Sequence, residues 1–245
     1  MVVEFALFLN KTNHALEKNM KYERGHMCQI VNLVDIYMDM FGYMDNGYFV
    51  EVGAWDGIQW SNTSGLLEAG WTGVYFEPQP EVFDKLVANH GENSNAILIN
   101  KALSDYVGVA DLYLGGSIST IHKETRDNYL KLGAFAQTGL ASEETVAVPV
   151  SNLDVELGGL ETPVGFEVLV IDVEGSEMDV LNGFSIHTYK PQLVIIEAHE
   201  QYEDERLNKK AACINAYMED YMYECIQSDT INNIYKRIEH VNNNN

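Results

Sequence analysis

Residues 51–57 read EVGAWDG, two glycines four apart with one acid before the first and another between them. The run ahead of them, Tyr48-Phe49-Val50-Glu51-Val52, is β-prone, and the segment after them, Trp60-Ser61-Asn62-Thr63-Ser64-Gly65-Leu66-Leu67-Glu68, opens on polar capping residues before an apolar pair. The stretch therefore reads as strand, turn, helix. At such a turn Gly53 is expected to let a ligand come against the backbone with no Cβ in the way, and Gly57 to let the chain swing back toward the helix.

Working outward, strands are expected over 48–52, 72–76, 96–99, 166–171 and 193–196, and helices over 61–69, 81–89 and 176–182, the last closed by Gly183. The segments VLVI and LVII are apolar on both alternating faces, the habit of parallel strands covered by helices. The fold class is α/β, a doubly wound, mostly parallel sheet. The chain of 245 residues reads as one domain. Residues 1–46 form a helical lead-in, with an amphipathic helix over 27–41. Residues 47–200 form the core, with an insertion at 115–144 that fits neither strand nor regular crossover. Residues 201–245 give a helix over 205–221 and two short runs, 223–227 and 232–236, that supply an antiparallel edge; the final asparagines are expected to fray.

A net charge of −22 argues against a phosphate-tracking nucleic-acid surface and against anionic membranes. The one basic group, His122, Lys123, Arg126 and Lys131, reads as a solvated helix face. Cys28, Cys213 and Cys225 have neither pairing nor zinc-ligand spacing and read as reduced core thiols. The opening MVVEFALFLN lacks the features of a signal peptide, and no stretch approaches the ~20 apolar residues of a membrane span. A cytoplasmic protein with a small-molecule or saccharide partner is the expectation.

Ligands of doubly wound sheets sit beyond the carboxyl ends of the strands, where strand order reverses. A dinucleotide turn would read GxGxxG; ExGxxxG has no middle glycine and carries an acid, which disfavours a diphosphate and suits a cationic ligand. S-adenosylmethionine, with its ammonium and sulfonium, is such a ligand. Glu51, Gly53, Ala54 and Gly57 would then form the cofactor turn. Glu77, at the end of the second strand, is placed to accept from a ribose diol, and Ala102, within the segment that ends the third strand, to contact adenine.

FVEVGAWDG, SNTSGLLEAGWTGVYFEPQPEVFDKL, ALSD, VPVSNLD, LVIDVEGSEMDVLNGF and PQLVIIEAH, in this order, resemble the motifs of FkbM-family methyltransferases, from about Gly47 to His199. The resemblance implies a class I, Rossmann-like fold and S-adenosylmethionine-dependent transfer of a methyl to oxygen, commonly on a sugar or natural-product hydroxyl. Trp55 departs from the small or polar residue common at that position.

Methyl transfer to an alcohol needs alignment and a base or a metal. Asp172 and Glu174 end a buried apolar strand, and Glu197 and His199 end its expected neighbour. Asp172, which also borders the cofactor, would join Glu197 and His199 around Mg²⁺ or Mn²⁺; without a metal, His199 or Glu174 would act as base. Glu177 reads as a helix-start residue favoured by the dipole. Trp71 is expected in the core, and of Trp55 and Trp60 beside the turn, Trp60 is expected to pack. The alternative to catalysis is a non-catalytic module that keeps the fold.

Overall fold

The computed structural model describes residues 33–42, 44–131, 144–198, 205–229 and 231–238. Cys28, His199, the first part of the helix expected over 27–41 and the terminal asparagines lie outside them. Ten strands are described: β1 (Tyr48–Val52), β2 (Thr72–Phe76), β3 (Ala96–Ile99), β4 (Ala102–Leu103), β5 (Gly108–Tyr113), β6 (Thr145–Ser151), β7 (Val168–Ile171), β8 (Leu193–Glu197), β9 (Tyr223–Ser228) and β10 (Asn232–Arg237). The helices are α1 (Leu33–Phe41), α2 (Ser64–Glu68), α3 (Pro80–His90), α4 (Lys123–Lys131), α5 (Leu153–Gly159), α6 (Glu177–Asn182), α7 (Ile186–Tyr189) and α8 (Glu205–Asp220).

The main sheet has the order β3-β2-β1-β7-β8-β10-β9. Pairing is parallel from β3 to β8, and β10 and β9 add the antiparallel edge. The alternation of strand side chains sorts the core into two layers. Val50, Val52, Leu169, Ile171, Val194 and Ile196 face one side, where Leu153, Leu157, Leu181, Ile214 and Met218 cover them. Phe49, Val168, Val170, Leu193 and Ile195 face the other, under Leu33, Tyr37, Leu66, Leu67 and Leu86. Both faces of β7 and β8 are dry, which is why these strands read as unbroken apolar runs.

A second, three-stranded sheet of order β4-β6-β5 is not expected from the sequence pattern. Its β6 carries Pro149, which argues against an interior strand. β4 pairs only with Val150 and Ser151, so Pro149 lies beyond the short strand and its missing N–H costs no bond there. Between β5 and β6 the insertion contains a 3-10 turn (Gly116–Ile118) and α4. α4 is not simply a solvated face: Arg126 is buried, its guanidinium 4.8 Å from the centre of the Tyr113 ring. Cys213 and Cys225 are exposed rather than core thiols. Among the described residues no helix is long and apolar enough to cross a membrane.

Trp71 is fully buried, as expected, with Nε1 donating to the Met44 carbonyl at 2.9 Å and the Phe41 ring edge-on at 5.4 Å. Trp71→Ala would open a cavity at the joint of α1 and β2. Urea titration should show a stability loss of about 3–5 kcal/mol.

Candidate active site

The register places Val52 opposite both Phe76 and Ile171, and Ile171 opposite Ile196. The next residue of each strand or strand end, Gly53, Glu77, Asp172 and Glu197, therefore comes out along one line at the carboxyl edge. The chain runs from β1 to β2 on one side while β7 pairs on the other, so the order reverses between β1 and β7. A cleft of about 290 Å³ opens at this point.

Gly53 has φ +86°, and a Cβ built on it would stand 1.7 Å from the Asp172 carbonyl oxygen. The Cβ position at Gly53 is thus taken by the neighbouring strand's backbone, and glycine is required for β1 and β7 to close up. Gly57, at φ +72°, makes the turn as expected, but it does not line the cleft. The His90 ring packs where its Cβ would lie, with Nε2 2.9 Å from the Gly57 carbonyl. Glu51, Gly53, Ala54, Glu77, Ala102 and Asp172 do line it.

Glu51 is buried and points into the start of α2 rather than standing open to a ligand. Its carboxylate accepts from Thr63 Oγ1 at 2.6 Å, Ser61 Oγ at 3.0 Å and Asn62 N at 3.2 Å. The hydroxyls that read as helix caps serve this acid, and Thr63 makes no side-chain cap bond. Burial outweighs these donors and pushes the Glu51 carboxyl up to about 7. Glu77 is held by Trp55 N at 3.0 Å and Gln79 N at 2.9 Å, and burial likewise raises its carboxyl to about 7.

Across the cleft, Asp172, Glu174 and Glu197 each bring a carboxylate oxygen within 4.8 Å of the other two. The sequence pattern brings Asp172 and Glu197 together; Glu174 completes the group in the described residues, where His199 is not found. Burial first, then the charge of Glu197, holds both Asp172 and Glu174 well above the usual carboxylate range. Glu177, fully buried, accepts from Gly175 N at 3.0 Å and Val173 N at 3.3 Å and pairs with Lys210 of α8. It thus ties down the acidic turn from the helix start, where the sequence places it.

The insertion reaches this turn. Tyr129 of α4 donates to Glu174 Oε2, Thr125 packs against Gly175, and His122 Nε2 lies 2.8 Å from Asp179 Oδ2. Tyr129, Lys210 and Ser176 are not singled out by the sequence. Tyr129 sits in a segment with no recognisable pattern, and Ser176 resembles an ordinary helix cap. Trp60, expected to pack, is 46% exposed on the cleft wall, its ring 6.3 Å from that of Trp55.

The Methyltransferase FkbM domain matches residues 51–225. The chain belongs to the FkbM methyltransferase family. It is accordingly an S-adenosylmethionine-dependent methyltransferase, and its sheet is the class I, Rossmann-like one. No curated protein matches the sequence. The solved structures similar to this FkbM methyltransferase include a putative caffeoyl-CoA O-methyltransferase from Staphylococcus aureus, at 9% identity and TM-score 0.47 over 96% of this chain and 98% of that one. A fibrillarin/Nop5p complex matches at 10% identity and TM-score 0.46, over 89% and 84%. The residues of the cleft suit the family's cofactor. Asn62 Oδ1 and Ser176 Oγ are buried on its wall with no hydrogen-bond partner among the described residues, and a ligand with polar ends would satisfy them.

Two outcomes are expected here. Gly53→Ala should destabilise the fold and weaken cofactor binding together, through collision with Asp172, as thermal melts and calorimetry would report. Glu51 binds its proton more tightly folded than unfolded, so its contribution to stability is present below the ordinary carboxylate pKa and is lost as pH rises through about 7. Glu51→Gln should therefore flatten the fall of melting temperature between roughly pH 5 and 8.

Proposed function

We propose that this FkbM methyltransferase methylates a hydroxyl oxygen of a saccharide or similar polar metabolite. The observation that carries the reading is the pair of cleft carboxyls, Asp172 and Glu174, held above the usual carboxylate range beside Glu197. S-adenosylmethionine supplies an electrophilic methyl on a positively charged sulfur. The protein's own work is to align the acceptor and take its proton. Glu174, with Oε2 fixed by Tyr129, is positioned to receive that proton, and Asp172 to orient the hydroxyl. Glu77, held by two backbone amides, would accept from the ribose diol of the cofactor.

The cleft wall supports a polyhydroxylated acceptor. Gln59, Ser117, Ser119, Thr120 and Asn232 offer hydroxyls and amides, and Trp55 and Trp60 offer ring faces. The clustered acids disfavour an anionic group at the reacting end. The three converging carboxylates also suit a hard divalent ion, Mg²⁺ or Mn²⁺, which would lower the pKa of the acceptor hydroxyl. Asp172, Glu174 and Glu197 would hold it.

Incubation with methyl-labelled S-adenosylmethionine and a metabolite extract should give a product one methyl heavier whose label resists alkali, as an ether does; label in an ester or amine would overturn the choice of oxygen. Asp172→Asn should leave the fold intact and cut transfer by about a hundredfold or more. If such an ion holds the acceptor, EDTA should abolish turnover, with recovery on Mg²⁺ or Mn²⁺, while cofactor affinity persists; full activity after exhaustive chelation would leave Glu174 as base without a metal.

A further inference from the structure

The turn joining β9 to β10 reaches the cleft, which Ile231 and Asn232 line. Two adjacent asparagines begin β10, and strand alternation sends them to opposite faces of the sheet. Asn233 is fully buried and serves the fold, with Nδ2 donating to Asn215 Oδ1 of α8 at 3.2 Å and to Tyr235 Oη at 3.1 Å. Asn232 is different. Its side chain has no hydrogen-bond partner among the described residues, although the residue is only 6% exposed.

The turn itself does not need this side chain. Asp229 Oδ1 accepts from Ile231 N at 2.7 Å and from Asn232 N at 2.6 Å, and Asp229 N donates to the Asn232 carbonyl at 2.9 Å. Both backbone groups of Asn232 are thus spent on Asp229. In register Asn232 stands opposite Glu197, and the neighbouring bond runs from Ala198 N to the Ile231 carbonyl at 2.7 Å, so the pair itself exchanges no backbone hydrogen bonds. Side chains of such a pair share one face of the sheet and approach closely, with Cβ atoms about 5 Å apart. The Asn232 carboxamide therefore enters the cleft beside Glu197, whose carboxylate lies within 4.8 Å of those of Asp172 and Glu174.

A carboxamide both donates and accepts, whereas ionised acids only accept. That combination suits a hydroxyl, which also gives and takes a hydrogen bond, better than it suits a cation or an anion. We propose that Asn232 sets the acceptor specificity by exchanging hydrogen bonds with a second hydroxyl, on the carbon next to the one methylated, so that the acceptor is a vicinal diol. The proposal rests on the reading of hydroxyl methylation and names the acceptor class within it. Because the side chain makes no bond inside the described chain, its removal costs acceptor binding and leaves folding and cofactor binding alone.

The probe is a metabolite extract with methyl-labelled S-adenosylmethionine. The extract is used as it stands and after quenched periodate treatment, which cleaves the carbon–carbon bond between neighbouring hydroxyls and spares isolated ones. The unaltered protein should label the untreated extract only. Asn232→Ala should raise the extract concentration giving half-maximal rate by about fivefold or more, the worth of a hydrogen bond or two. Calorimetry of the same variant with S-adenosylhomocysteine and with Mn²⁺ should match the unaltered protein. Full labelling after periodate, unchanged kinetics in the variant, or a loss of affinity for either calorimetric ligand would each overturn the proposal, a loss for Mn²⁺ alone making the amide an ion ligand. If the untreated extract takes up no label, the hydroxyl reading itself fails.

Discussion

The approach of the Asp172 carbonyl to the bare face of Gly53 is the constraint on which the site depends. β1 and β7 are joined beyond their last paired residues, with Asp172 N donating to the Val52 carbonyl at 2.9 Å. On the other side Gly53 N and Ala54 N both donate to the Phe76 carbonyl at 2.9 Å. Three strand ends are thereby locked at one level. Backbone fills the place where a side chain would stand, so the Asp172 and Glu77 carboxylates flank the turn instead of being pushed apart. A single Cβ at Gly53 would separate the strands that position both acids.

Gathering four acids at the end of β7 and β8 is costly, because like charges repel and burial disfavours ionisation. The protein answers with donors from distant segments. Lys210 arrives from α8 onto Glu177; Tyr129 arrives from the insertion onto Glu174. Burial works against the Lys210 ammonium, yet the surrounding Glu177 and Glu197 more than restore it and raise its pKa. What remains unneutralised is Asp172 and Glu174, whose affinity for protons is high for the same reason. The helix of the insertion is thus bound to the acidic turn through Tyr129 and Glu174, and the insertion cannot be regarded as a mere surface loop.

The strands of the main sheet are legible in the sequence because each is an apolar run bounded by turn chemistry, and period-two burial on both faces leaves a clear trace. The antiparallel edge is legible from alternation in the tail. The β4-β6-β5 sheet is not: β4 has two residues, and β6 contains a proline whose tolerance depends on β4 being short. At the site, acids at strand ends can be read from position, since a carboxylate after VLVI has little structural reason to be there. Their partners cannot. Tyr129 belongs to the site only through the folding back of α4, and Asn62 resembles a helix cap because Asn, Ser and Thr read alike whether they serve a helix or an acid.

That ambiguity has a physical resolution in the backbone. Among the described residues, six other than glycine have positive φ: Trp55, Trp60, Glu161, Glu174, Lys190 and Met222. Glu161, Lys190 and Met222 follow the ends of α5, α7 and α8, where a left-handed residue commonly closes a helix. Trp55, Trp60 and Glu174 follow no helix and all line the cleft. Each costs of order 1–3 kcal/mol and persists only where the surroundings enforce it. Here the demand is local: Glu77 holds Trp55 N, and Tyr129 fixes the Glu174 carboxylate. Strain without a helix end to explain it therefore marks the same wall that the unsatisfied Asn62 and Ser176 mark independently, and both signs point into one cleft.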